Sequence, residues 1–139
     1  MTNLVDILLI EDDEVDIMNV QRAFRKNKIS NPLFIARNGI EALDMLTDSQ
    51  IPMPKIILLD INMPKMGGIE FLSEMRKLPE LKSLSVFVMT TSNEESDKVA
   101  AYDLNVAGYI LKPLSFEGFC SAVAVLNHYW HLCEMPQVK

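Results

Sequence analysis

IILLDINMPKMGG, positions 56–68, sets four aliphatic residues in a row against Asp60 and then enters a loop that closes on Gly67 and Gly68. A carboxylate in the middle of a buried strand is strongly disfavoured unless it is paired, because desolvation penalises its charged form. An acid at the carboxyl end of such a strand, where the chain leaves the core for a loop, escapes most of that penalty. The stretch therefore predicts a buried strand that delivers Asp60 to its rim.

Similar runs recur along the chain: VDILLI (5–10), LFIA (33–36), KIILLD (55–60), SVFVMT (85–90) and AGYIL (107–111). Their β-branched and aromatic content predicts five strands. Helical patterns lie between them. Glu14–Asn27 carries Ile17, Val20 and Phe24 on one face, Gly39–Leu46 carries Ile40, Leu43 and Leu46, and Gly68–Leu78 carries Phe71, Leu72 and Met75. Asn93–Leu104 is more polar and opens at Ser92 or Asn93 as its N-cap, and Phe116–Leu132 is the last helix. The first and third strands are apolar throughout, as a parallel sheet covered on both faces requires. Strand and helix in strict alternation predict an α/β fold: a doubly wound five-stranded parallel sheet, helices on both faces, right-handed crossovers.

The remaining numbers set limits. A chain of 139 residues with 49% hydrophobic content suits one domain over 1–139, with a flexible tail at 133–139 and no output domain. Nineteen acidic against 13 basic residues, net −6, argue against a nucleic-acid or membrane surface, both of which need clustered Lys and Arg. The opening MTNLVDILLIEDD lacks a basic leader and a cleavage site, so a cytoplasmic location is expected. Cys120 and Cys133 have no His or Cys companion at metal-ligand spacing and are expected to be reduced core thiols.

In open α/β sheets ligands gather beyond the carboxyl ends of the strands. Those ends carry Glu11, Asp12 and Asp13 (first), Asp60 with Asn62 two residues on (third), Thr90, Thr91 and Ser92 (fourth), and Lys112 before Pro113 (fifth). Acids, a hydroxyl and one lysine from four strand ends suit a divalent metal and a phosphoryl group. Mg2+, with Mn2+ as the substitute, is a hard cation held by one or two carboxylates, which suits Asp12 and Asp60, with Glu11 acting directly or through water. A carboxylate is also a nucleophile toward phosphorus, and Asp60 is the best placed. Lys112 supplies a point positive charge and Thr90 a rotatable hydroxyl. Pro113 biases Lys112 to extended backbone and permits a cis bond. Plainer roles stand beside these: Asp12 and Asp13 as a helix start, Thr90–Ser92 as a cap cluster, Lys112 as a solvated side chain, Tyr109 as packing.

ILLIEDD, LLDINMPKMGG, VMTTS and YILKP, in that order and spacing, resemble the receiver domain of two-component response regulators over nearly the whole chain. The resemblance implies a flavodoxin-like strand order 2-1-3-4-5. It implies Asp60 as phosphoacceptor, Glu11 and Asp12 as the acidic pair, Asn62 as a metal ligand through its carbonyl, Thr90 as the switch hydroxyl, Lys112 as the phosphate-pairing lysine and Tyr109 as the aromatic whose orientation follows Thr90. NMPK, MTTS, YDLN and a last helix bearing Tyr129 and Trp130 further resemble stand-alone receivers that accompany phytochrome-type histidine kinases. A sensor histidine kinase is the implied partner, docking on the first helix at Val15, Met18 and Arg22. Two departures stand out. Gly67 replaces an Asp or Asn, and Thr91 is larger than the usual small residue, which is expected to narrow access to Asp60 and slow phosphate loss.

On the last helix Phe116, Phe119, Cys120, Val123 and Trp130 should face the sheet, and Ala122, Val125, Tyr129 and Leu132 the other side. An apolar second face predicts a homodimer through the fourth helix, fifth strand and last helix. The expected function is phosphoryl transfer onto Asp60 with a surface switched as a result, and no turnover of other substrates. The competing functions are a small phosphohydrolase working through an aspartyl phosphate, which would want a second acid where Asn62 stands, and a receiver-like binding module.

Overall fold

The computed structural model describes residues 5–48, 50–54, 56–112 and 115–133. Ten elements alternate: β1 (Ile7–Ile10), α1 (Glu14–Lys26), β2 (Leu33–Ala36), α2 (Gly39–Thr47), β3 (Ile56–Leu59), α3 (Gly68–Arg76), β4 (Ser85–Thr90), α4 (Glu95–Asp103), β5 (Gly108–Leu111) and α5 (Phe116–Leu132). All strand pairs are parallel, in the order β2-β1-β3-β4-β5. This is the doubly wound architecture that the alternation predicts, with β1 and β3 buried at every position.

The two-residue period of a strand builds two cores from one sheet. Leu8, Ile10, Ile57 and Leu59 point to the side covered by α2, α3 and α4, where Phe71, Leu72 and Met75 meet them. Ile7, Leu9, Ile56 and Leu58 point to the other side, against Ile17, Val20 and Phe24 of α1 and Phe119, Val123 and Trp130 of α5. Asp13, Asn38 and Ser115 cap α1, α2 and α5 by accepting backbone N–H bonds.

Several expectations need correction. Ile40 is 47% exposed and Ala42 faces the sheet instead, while Leu43 and Leu46 keep their expected side; Gly39, at the start of the helix, docks on the loop after β3. The N-cap of α4 is Glu94, without a side-chain bond; Ser92 instead forms a turn, accepting from Glu94 N and donating to Asp97. Ala122 packs against the α1–α5 core and does not belong to the outer face, while Leu126 is buried as well. Met63 and Met66 are half-buried against the core, and Cys120 and Cys133 are half-buried and free, Cys120 packing against the α1–α5 side. The Lys112–Pro113 bond, and the tail beyond Cys133, lie outside the described residues.

Candidate functional site

Glu11 and Asp60 leave adjacent central strands at the same level. Glu11 N donates to Ala36 O at 2.9 Å and Asp60 N to Ile10 O at 3.0 Å, so the sheet's own ladder continues to the base of both side chains. They are 4% and 6% exposed, while Asp12 lies open to solvent. One carboxylate oxygen from each of Glu11, Asp12 and Asp60 lies within 4.8 Å of the others. Asp13, the fourth candidate acid here, is spent on the helix: its Oδ1 accepts from Val15 N at 2.8 Å and Asp16 N at 3.1 Å. Asp13 is thus given to the helix while Asp12, its neighbour, keeps its carboxylate in the acidic cluster.

The second glycine of the opening stretch, Gly68, packs against the backbone of Asp60. A Cβ on Gly68 would lie 2.5 Å from the Asp60 carbonyl oxygen and 2.7 Å from Ile61 Cα. Gly68 N also donates to Ile61 O at 2.9 Å. Lys65 in the same loop takes a left-handed φ of 64°. Asn62 N points back to Asp60 Oδ1 at 3.4 Å.

Lys112 reaches the acids from the edge strand, anchored by its backbone N–H to Thr90 O at 2.6 Å. Its Nζ donates to Glu11 Oε1 at 2.7 Å and to Asp16 Oδ2 at 2.6 Å, with its own side chain 4% exposed. Burial opposes the ammonium's charge, but the bonds to Asp16 and Glu11 outweigh it and hold Lys112 above the usual lysine range. Burial pushes the Glu11 carboxyl up to about 7, despite Lys112, with the Asp60 charge adding to the rise. Glu11, Asp12 and Asp60 converge beside this ion pair, and a hard cation would offset the repulsion of three acids so close together.

Thr90 is fully buried and its Oγ1 accepts from Ser92 N at 3.3 Å. Tyr109 is turned inward, its hydroxyl donating to Ser92 O at 2.9 Å. Thr91 is exposed at the cleft mouth. Thr90, Tyr109 and the first turn of α4 therefore share one residue, Ser92, whose hydroxyl donates to Asp97 Oδ2 at 2.5 Å. The cleft itself, about 260 Å³, is lined by Glu11, Asp12, Asp13, Asp16, Asp60, Asn62, Thr91 and Lys112.

The structure so gathers Glu11, Asp12, Asp60, Asn62, Thr91 and Lys112 in one cleft, with Thr90 and Tyr109 behind its rim. Val15, Met18 and Arg22 lie outside it on α1: Val15 and Met18 are 65% and 54% exposed, and the Arg22 guanidinium stacks 4.2 Å over the Phe116 ring. Sequence reasoning missed Asp16 and the linking role of Ser92. Asp16 is 96 positions from Lys112, and nothing in the spacing of a first-turn acid points to that contact.

The family model described as the response regulator receiver domain matches residues 7–124. Response regulator Rcp1 of Synechocystis sp. (strain ATCC 27184 / PCC 6803 / Kazusa) is 36% identical over 128 residues, covering 89% of this chain and 87% of that protein. The crystal structure of the Mn(2+)-bound form of Rcp1 superposes with a TM-score of 0.87 at 34% identity, over 96% of this chain and 99% of the other. The phosphorylated cyanobacterial phytochrome response regulator RcpA does so with a TM-score of 0.89 at 31% identity, over 97% and 100%.

Proposed function

We propose, for a chain that belongs to the response regulator receiver domain family, that Asp60 accepts a phosphoryl group from the phosphohistidine of a sensor histidine kinase of the phytochrome type. The observation that supports this most directly is a buried carboxylate at an open strand end, with two further acids within 4.8 Å and a buried lysine beside them. An Asp60 carboxylate oxygen forms the bond to phosphorus as the phosphorus–nitrogen bond of the donor breaks, and the histidine leaves with the electron pair.

The donor set fits a hard divalent cation: Glu11, Asp12 and Asp60 supply carboxylate oxygen, and Asn62 its carbonyl. Bound there, Mg2+ or Mn2+ supplies positive charge to the phosphoryl oxygens. Lys112 offers an ammonium to the same oxygens, and Thr91 at the mouth limits the approach of water. Thr90 turns its hydroxyl toward the phosphoryl group and gives up the bond from Ser92 N, which releases the hold on Ser92 and, through it, on Tyr109 and α4. Local chemistry then becomes a surface change.

Val15, Met18 and Arg22 form the kinase-docking face. Val125, Tyr129 and Leu132, with Val99 and Tyr102 of α4 and Leu111 of β5, form an exposed apolar face that pairs with a second copy. The chain acts as a single receiver in the cytoplasm, without nucleic acid or membrane partners, and catalyses no reaction beyond its own phosphorylation and dephosphorylation; no helix among the described residues is long and apolar enough to cross a membrane.

Incubation with acetyl phosphate and Mg2+ tests the reading by intact mass. One phosphoryl group per chain is expected, absent from Asp60→Asn and without added metal. Continuous turnover of acetyl phosphate in place of stable stoichiometric labelling would favour the phosphohydrolase, and no reaction at all the binding module.

A further inference from the structure

Lys112 has two anionic partners, and Asp60 is neither of them. It departs from β5, at the edge of the sheet, yet its Nζ lies 2.7 Å from Glu11 on β1 and 2.6 Å from Asp16 in the first turn of α1. Among the described residues no ion pair joins Lys112 to Asp60, and its Nζ is committed to Glu11 and Asp16. Asp16 is not one of the three acids that converge for a metal. Once those three are committed to a cation, Asp16 is the carboxylate that still competes for the ammonium. Its side chain is 23% exposed, so the pair is only partly screened by water.

We infer that Asp16 is a positioning residue that holds Lys112 away from the phosphoacceptor and thereby weakens the site's grip on a phosphoryl group. The inference rests on Asp60 being the phosphorylated residue. A phosphoryl group on Asp60 brings negative charge into the cleft that Asp16 also lines. An ammonium drawn toward that phosphoryl group is drawn against its short bond to Asp16, and the Asp16 charge faces the new anion. Both effects have the same sign, and removing the Asp16 charge removes both. An acid in a helix's first turn is also favourable against the helix dipole, but that role concerns folding and leaves anion affinity unchanged.

Asp13 is a matched control. It lines the same cleft and carries the same charge, but its Oδ1 is bonded to Val15 N and Asp16 N, and asparagine caps a helix as well as aspartate. Calorimetric titration of the Mg2+-saturated protein with beryllofluoride, a phosphoryl mimic, compares wild type, Asp60→Asn, Asp16→Asn and Asp13→Asn. Asp16→Asn is expected to bind about three- to tenfold tighter, the scale of a partly exposed charge-assisted pair, and Asp13→Asn within about twofold of wild type. Unchanged or weaker binding by Asp16→Asn overturns the inference, and so does equal tightening by Asp13→Asn, which would make the effect one of net charge alone. Asp16→Ala carries the same expectation if Asp16→Asn does not melt cooperatively. Wild type that fails to bind, or Asp60→Asn that binds equally, overturns the phosphoacceptor reading itself and is distinguishable from both.

Discussion

Gly68→Ala tests the placement of Asp60, the proposed phosphoacceptor, with a single methyl group. The added Cβ would lie 2.5 Å from Asp60 O and 2.7 Å from Ile61 Cα, both backbone atoms that no rotamer change relieves. Carbon reaches its non-bonded optimum at about 3.5–4.0 Å, so the β3–α3 turn must open by roughly 1 Å. Overpacking of this kind costs about 1–3 kcal/mol. Loss of the 2.9 Å bond from Gly68 N to Ile61 O adds about 0.5–1.5 kcal/mol, and alanine's better helix propensity returns up to about 1 kcal/mol. The net destabilisation expected is about 2–3 kcal/mol in urea unfolding followed by far-ultraviolet circular dichroism. Because the strain falls on the Asp60 carbonyl, the rate of phosphorylation by acetyl phosphate should fall by roughly ten- to a hundredfold in the protein that remains folded. Gly67 is the internal comparison: its φ is −74°, its added Cβ would meet Ile61 O at 3.3 Å, and Gly67→Ser should stay within about 0.5 kcal/mol of wild type. Gly68→Ala with wild-type stability and wild-type phosphorylation would refute the steric account of this loop.

Arg76 donates to four carbonyls, Leu104 O, Lys82 O and Leu84 O at 2.8 Å each and Asn105 O at 3.0 Å, tying the end of α4 to the approach of β4. Arg76→Ala should therefore lose about 2–4 kcal/mol in the same urea assay, and Arg76→Lys recover less than half of it, a lysine being unable to span a forked set of acceptors. Lys28 follows the α1 C-cap with a φ of 57°, a conformation that costs a side chain about 1–2 kcal/mol; after the entropy of glycine, Lys28→Gly should raise stability by about 0.5–1 kcal/mol, and a lowered urea midpoint would contradict it. Arg22→Glu should slow phosphotransfer from the kinase while leaving labelling by acetyl phosphate within about twofold, with a stability loss of about 0.5–1 kcal/mol from the Phe116 stack; equal slowing with both donors would remove α1 as the docking face. Val125 is 68% exposed, and Val125→Lys should shift the light-scattering mass of the beryllofluoride-bound protein from dimer to monomer, whereas wild type that is a monomer at micromolar concentration would end the proposed pairing.

Most of the fold was legible because the strands are short, rich in aliphatic residues and separated by helices of the expected period; β2, β4 and α5 have the bounds read from their residues. The misreadings share one cause. Ile40 and Ala122 are small shifts of a helix face, and periodicity within one helix does not record how the helix is rotated by what it docks on. For α2 that is Met66, whose Cγ lies 2.7 Å from the position of a Cβ on Gly39. The α4 cap was missed for a related reason: Ser92 has the chemistry of an N-cap, but Tyr109 and Thr90 claim its backbone and turn it into a link between strands.

The sequence by itself determined which candidate residues stand at the strand ends. Glu11, Asp12, Asp60, Thr90 and Lys112 each end an apolar run, and parallel strands bring their carboxyl ends to one edge whatever the side chains between them. Only the tertiary structure decided how those groups share their charges. Asp13 turned to the helix and Asp12 to the cleft, Gly68 came to lie against the backbone of Asp60, and Lys112 took Asp16 as a partner. Strand position is encoded by local hydrophobic pattern, but the pairing of buried charges depends on distances of a few ångströms between elements remote in the chain, and no local pattern specifies those.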